Sequence, residues 1–191
     1  MIRWLTDNIL KFSNKGLFSS NFYYIKDLNL LIDTGFSLDR EKIIKEFGKV
    51  VDFSKIDKVI FTHLHFDHIG NYDLYPNAKF YAHKEEINSL KKNKILTILD
   101  PFLAEKFNIN INDVSKLSLP KNYEIIHTPG HTIGSICIYD NKNHILFTGD
   151  TLFFTRKGKA GLPTSKPGAF PNSLKKLSKL KYLAVCPGHD I

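Results

Sequence analysis

The chain has 191 residues and a net charge of +8. Its 42% hydrophobic content, with only eleven glycines and eight prolines, excludes the disordered, fibrous and low-complexity classes. The length suits one domain, residues 1–191, large enough to bury a core without disulfide or metal staples.

The first residues lack the apolar run of a signal peptide, and no apolar stretch approaches a membrane span. Two cysteines, Cys137 and Cys186, do not make a disulfide framework; each sits in an apolar run and reads as a buried thiol. A reducing, cytoplasmic setting with no membrane partner is the expectation. Most of the charge excess is lysine spread along the chain. Its denser clusters, Lys91-Lys92 and Lys175 to Lys181, read as solvated helix faces.

In chain order, Asn21–Ile25 and Leu28–Ile32 are strand-like runs around Lys26-Asp27, which predicts a β-hairpin ending at Asp33-Thr34-Gly35. Leu38 to Phe47 reads as a helix with Ile43, Ile44 and Phe47 inward. Lys58–Thr62 and Ala78–Ala82 are short strands. Residues 84–99 read as one helix with Ile87, Leu90, Ile95 and Leu99 as its inner face, broken by Asp100-Pro101. Residues 100–122 resist assignment beyond a second short helix ended by Pro120. Four strands follow: Glu124–Thr128, Ser135–Tyr139, Ile145–Thr148 and Leu183–Cys186. Between the last two, a glycine- and proline-rich piece from Arg156 to Pro171 reads as a loop over a site, and Leu174, Leu177 and Leu180 mark an amphipathic helix.

The chemistry sits after four of these strands. Val59-Ile60-Phe61-Thr62 runs into His63-Leu64-His65-Phe66-Asp67-His68. The later strands run into Pro129-Gly130-His131, Gly149-Asp150-Thr151 and Pro187-Gly188-His189. Three histidines and an aspartate within six residues at a strand end have little structural use, whereas imidazole and carboxylate together suit zinc, iron or manganese. His63 and His65 can face one ion and Asp67 and His68 a neighbouring one, so that with His131 and His189 the set divides as three histidines on one side and two histidines plus an aspartate on the other. Asp150, as a carboxylate, would be the shared ligand. Such a pair of ions can hold a hydroxide between them, formed at neutral pH because metal binding lowers the pKa of water to roughly 7. His83, His127 and His144 read as ordinary residues.

Asp33-Thr-Gly35, Thr62-His-Leu-His-Phe-Asp-His-Ile-Gly70-Asn71, Thr128-Pro-Gly-His-Thr132, Thr148-Gly-Asp-Thr151 and Pro187-Gly-His189, in this order, resemble the metallo-β-lactamase superfamily. The resemblance implies an α/β (α+β) fold, a four-layer αββα sandwich of two mixed sheets with helices outside and the metal site at one edge. It implies that His63, His65 and His131 hold one metal, that Asp67, His68 and His189 hold the second with Asp150 bridging, and that Asp33 is a hydrogen-bonding support for one ligand. Within the superfamily, an aspartate at position 150 looks like the glyoxalase II and lactonase-type hydrolases. Class B β-lactamases usually carry cysteine there, and flavodiiron reductases usually carry glutamate where His65 stands. Glyoxalase II adds a helical C-terminal domain, whereas this sequence stops two residues beyond His189. The expectation is that other residues, or the second copy in a homodimer, complete the site.

The first functional expectation is a hydrolase with two divalent transition-metal ions, zinc foremost and iron or manganese as alternatives, acting on a thioester, lactone or related carbonyl. Asp67 and Asp150 are its catalytic carboxylates, with Asp67 orienting the attacking hydroxide. The substrate is a small molecule, and Arg156, Lys157 and Lys159 suit an anionic tail. A mononuclear-iron, persulfide dioxygenase-like oxidoreductase using His63, His131 and Asp150 is the first alternative. An RNase Z-like nuclease is the second. The net charge fits that reading, but no long basic arm is present to grip RNA, and a nucleic-acid partner is not expected.

Overall fold

Residues 1–191 are all described by the computed structural model. Its strands are short and alternate strictly, so each sheet buries both faces. In β3 (Phe22–Ile25), Phe22 and Tyr24 point to one side and Tyr23 and Ile25 to the other. In β9 (Ile136–Asp140), Ile136 and Ile138 point inward between the sheets, and Cys137 and Tyr139 outward. A period of two with apolar residues on both faces is the pattern of a strand covered on both sides.

The first sheet follows chain order: β1 (Ile2–Trp4), β2 (Ile9–Phe12), β3, β4 (Leu30–Ile32), β5 (Lys58–Ile60), β6 (Lys79–Ala82) and β7 (Ile111–Asp113). Its first three pairings are antiparallel and its last three parallel. The second sheet contains β8 (Tyr123–His127), β9, β10 (Ile145–Gly149) and β11 (Ala184–Pro187), in the order β11-β10-β9-β8. There β10 and β11 are parallel and the other two pairings antiparallel.

Between the sheets, Ile9, Ile25 and Ile60 meet Ile138, Ile145 and Phe147. Outside the first sheet, Phe12, Phe22 and Phe61 pack under α1 (Arg40–Glu46), α3 (Lys84–Lys92), α4 (Lys94–Ile98) and α5 (Pro101–Lys106) through Ile43, Ile87, Ile98 and Ala104. Outside the second sheet, Ile126 and Leu146 pack under Leu177 of α6 (Phe170–Leu177). This is the αββα sandwich. No helix is long and apolar enough to cross a membrane.

Several local expectations change. β1 and β2 were not foreseen, and neither was edge strand β7. Residues 84–99 form two helices, because Asn93 takes an extended conformation and its side chain accepts from the Leu96 N–H, starting a new helix. Ile95 is accordingly exposed, and so is Ile44 of α1. Pro101 does not merely stop a helix: it opens α5, with Asp100 accepting from the Leu103 N–H as cap. The hairpin forms with a short 3-10 turn, Lys26–Leu28, and Asn29 in the left-handed region at its end. Both cysteines are buried and free.

Candidate metal centre

Strand direction brings the chemistry to one edge. β4 and β5 are parallel, and β8, two antiparallel steps from β10, runs the same way as β10 and β11. Asp33, His63, His131, Asp150 and His189 therefore all follow the C-terminal ends of strands. The short helix α2 (Phe66–Ile69) adds Asp67 and His68. Gly149, at φ +47°, takes the left-handed turn that delivers Asp150.

All seven side chains expected at the site meet there. His63, His65 and His131 form one group with ring centroids 4.5–4.8 Å apart. Asp67, His68 and His189 form another, with His189 Nε2 3.2 Å from Asp67 Oδ2. Asp150 lies between them: Oδ1 is 3.2 Å from His68 Nε2 and 3.5 Å from His189 Nε2, while Oδ2 is 3.5 Å from His131 Nε2. One carboxylate oxygen faces each group.

The outer nitrogens of four rings are fixed by partners. His131 Nδ1 meets the Lys159 carbonyl at 2.7 Å, His189 Nδ1 the Ser19 carbonyl at 3.0 Å, and His63 Nδ1 the Thr62 hydroxyl at 3.1 Å. His68 Nδ1 meets Asp33 Oδ2 at 2.8 Å, and Asp33 also accepts from the Thr62 N–H and hydroxyl. Each bond points the other ring nitrogen, Nε2, into the centre. There, His63 Nε2, His68 Nε2 and Asp150 Oδ1 are buried without a hydrogen-bond partner, and His65 presents its Nδ1 to His131 Nε2 at 3.0 Å. Buried polar atoms are almost always satisfied, and leaving one orphaned costs about 1–3 kcal/mol. Three converging orphans and a close pair of ring nitrogens fit a cation, and these donors are the ones that could hold it.

Titration behaviour without a metal agrees. Burial, with the neighbouring imidazoles, pushes His63 well down and His65 down to about 3, leaving neutral rings able to ligate. Burial would also lower His68 and His189, but the surrounding carboxylates prevail. Asp67, Asp150 and Asp33 raise His68, and Asp150 and Asp67 raise His189 to about 9. Against their own burial, Asp150 and Asp67 are lowered by His68 and His189. Positive charge is thus favoured where the second group meets Asp150.

The family description Metallo-beta-lactamase superfamily matches residues 16–189. The chain belongs to the metallo-beta-lactamase superfamily. A probable metallo-hydrolase of Methanocaldococcus jannaschii is 33% identical, the alignment covering 95% of this chain and 92% of the relative. A hydroxyacylglutathione hydrolase of Francisella tularensis subsp. novicida is 30% identical over 71% of this chain, and the match spans 50% of that relative's length. Among solved structures, a di-iron-bound form of TTHA1623 superposes with a TM-score of 0.71 at 24% identity, covering 94% of this chain and 92% of that one. The flavodiiron core of Flv1 from Synechocystis sp. PCC6803 superposes with a TM-score of 0.72 at 17% identity, covering 98% of this chain and 55% of that one. These likenesses concern the fold.

In this metallo-beta-lactamase superfamily chain the centre opens into a cavity of about 840 Å³. Asp67, His131, Asp150 and His189 form its floor. Arg156, Lys159, Lys15 and Lys42 line it together with Leu17, Phe18, Phe153 and Leu162, the Arg156 guanidinium lying over the Phe153 ring at 5.9 Å. Lys157, grouped with Arg156 and Lys159 on sequence grounds, does not line it; its backbone bridges to Leu152 instead. The apolar wall was not foreseen, because Leu17 and Phe18 belong to a segment with no periodic pattern. His83 and His127 lie outside the centre, stacked on each other with centroids 3.7 Å apart. His144 sits in the turn before β10, at φ +55°.

Proposed function

We propose that this superfamily hydrolase cleaves a thioester or lactone, with two divalent ions, zinc foremost, held by His63, His65 and His131 and by Asp67, His68 and His189, and shared through Asp150. The observation that carries the reading is Asp150, one oxygen toward each imidazole group, under a cavity with both cationic and apolar walls. The two named hydrolase relatives support the reaction type. Ions bound here supply Lewis acidity and acidify water. The protein's own part is positioning. The fixed Nδ1 bonds hold the imidazoles in one orientation, and the Asp67 carboxylate, at the cavity floor, orients a water by accepting its proton in a hydrogen bond. Arg156 and Lys159 bind the anionic end of the substrate, while Leu17 and Phe18 cover its acyl part and exclude water.

The test is metal content per chain on protein purified without chelator, followed by a panel of thioesters and lactones with and without an anionic group. About two ions per chain and hydrolysis favouring the anionic members are expected. Full metal with no hydrolysis of any member overturns the reading. One iron per chain with oxygen uptake on a persulfide replaces it by the dioxygenase.

A further inference from the structure

Glu86 lies in the first turn of α3 with no exposed surface, although charged residues in that position of a helix ordinarily face water. Its carboxylate has no cationic partner. Oε2 accepts from the Leu64 N–H at 3.1 Å and Oε1 from the Gly134 N–H at 2.9 Å. Leu64 stands between His63 and His65, and Gly134 is three residues beyond His131. Neither N–H takes part in a strand ladder or has another acceptor. Burying a glutamate this way carries a desolvation cost that a neutral side chain would avoid. What the carboxylate alone supplies is two acceptors, one for each loop. The approach is close: a Cβ on Gly134 would stand 2.5 Å from the Glu86 backbone nitrogen and 2.6 Å from its Cγ. The His131 loop is therefore seated on the start of α3.

We propose that Glu86 is a positioning residue that ties the His63–His65 segment to the His131 loop and so sets the spacing of these three imidazoles for a metal ion. The proposal rests on the metal-holding reading of the centre. Glu86 touches no substrate; it acts through the backbone of Leu64 and Gly134. The sequence did not reveal it, since a glutamate near a helix start reads as a favourable charge at the positive end of the helix dipole.

The experiment is a competition titration of zinc between the protein and a chromophoric chelator, on wild type, E86Q, E86D and the core control I138V. Visible spectra of the cobalt-loaded proteins accompany it. Gln keeps one acceptor and turns an N–H toward the second donor; Asp keeps the charge but cannot reach both loops. Wild type is expected to bind two ions. E86Q should lose roughly ten- to a hundredfold in one binding step and little in the other, with a changed cobalt spectrum. E86D should weaken the same step by less, and it carries the test if E86Q does not fold. I138V should change neither step at any loss of melting temperature. Unchanged steps in both Glu86 variants, or the same loss in I138V at matched melting temperature, overturn the role of Glu86 alone. A wild type that binds no zinc overturns the metal reading and this inference with it.

Discussion

Asp150 is shared by two imidazole groups, so its loss is expected at both. Asp150→Ala should bind neither ion tightly, whereas His83→Ala, outside the centre, should bind both; metal analysis after gel filtration checks this, and equal losses would break the ligand assignment. His83 has a separate, testable effect on stability. Burial and the adjacent His127 ring push its imidazole down to about 4, while its Nδ1 accepts from the Glu85 N–H as helix cap. Because the folded form takes up this proton less readily than the unfolded chain, its contribution is complete above the ordinary histidine value near 6.5. It is lost as pH falls from there through about 4. The ring is partly solvated, so screening limits the effect to about 1 kcal/mol. Urea midpoints of metal-free wild type and His83→Gln should therefore converge on acidification from pH 7 to 4.5. A gap independent of pH would refute the assignment.

Strand ends carry the site, and the turns that follow them must let side chains from different strands touch. At the end of β11, a Cβ on Gly188 would lie 2.3 Å from Asp150 Oδ1 and 2.6 Å from His68 Cε1. The same turn is locked by the Gly188 N–H donating to the Gly149 carbonyl at 2.8 Å. Gly188→Ala should displace the shared carboxylate, with kcat/KM down more than about a hundredfold, since a 1 Å misplacement can cost that much. Unfolding stability should fall by only about 1–3 kcal/mol, as for other overpacked positions. Activity and denaturant melts measured together check it; a fall in stability with activity intact would show that the turn relaxes away from the ligands.

The folded chain surrounds a cluster of five imidazoles and two carboxylates, in which three imidazoles and one carboxylate have a buried atom without a partner, so bound ions and fold stabilise each other. Saturating metal at a hundred times its dissociation constant should add about 2.7 kcal/mol per ion. Chelation should lower the melting temperature reversibly, and readdition of zinc should restore it; a melting temperature indifferent to chelator would count against the site. Much of this molecule could be read before folding. His63-x-His65-x-Asp67-His68 and the three later Gly-bearing turns are local, and their residue types dictate cation chemistry wherever they are placed. The central strands were legible because runs such as Val59-Ile60 and Ile136–Tyr139 are buried on both faces. β1, β2 and β7 were not, since such short strands at or next to a sheet edge owe their pairing to the neighbour they lie beside more than to their own composition. Nor was the break at Asn93, where a side-chain cap outweighs a continuous apolar period. The sequence by itself determined which donor atoms are on offer and the class of chemistry open to them, because donor atoms are a property of the residues. Only the tertiary structure decided that Asp150 divides its oxygens between two groups, that Glu86 joins two loops, and that apolar and cationic side chains line one cavity. Those depend on which strand ends and loops meet in space, and no local stretch of sequence encodes that.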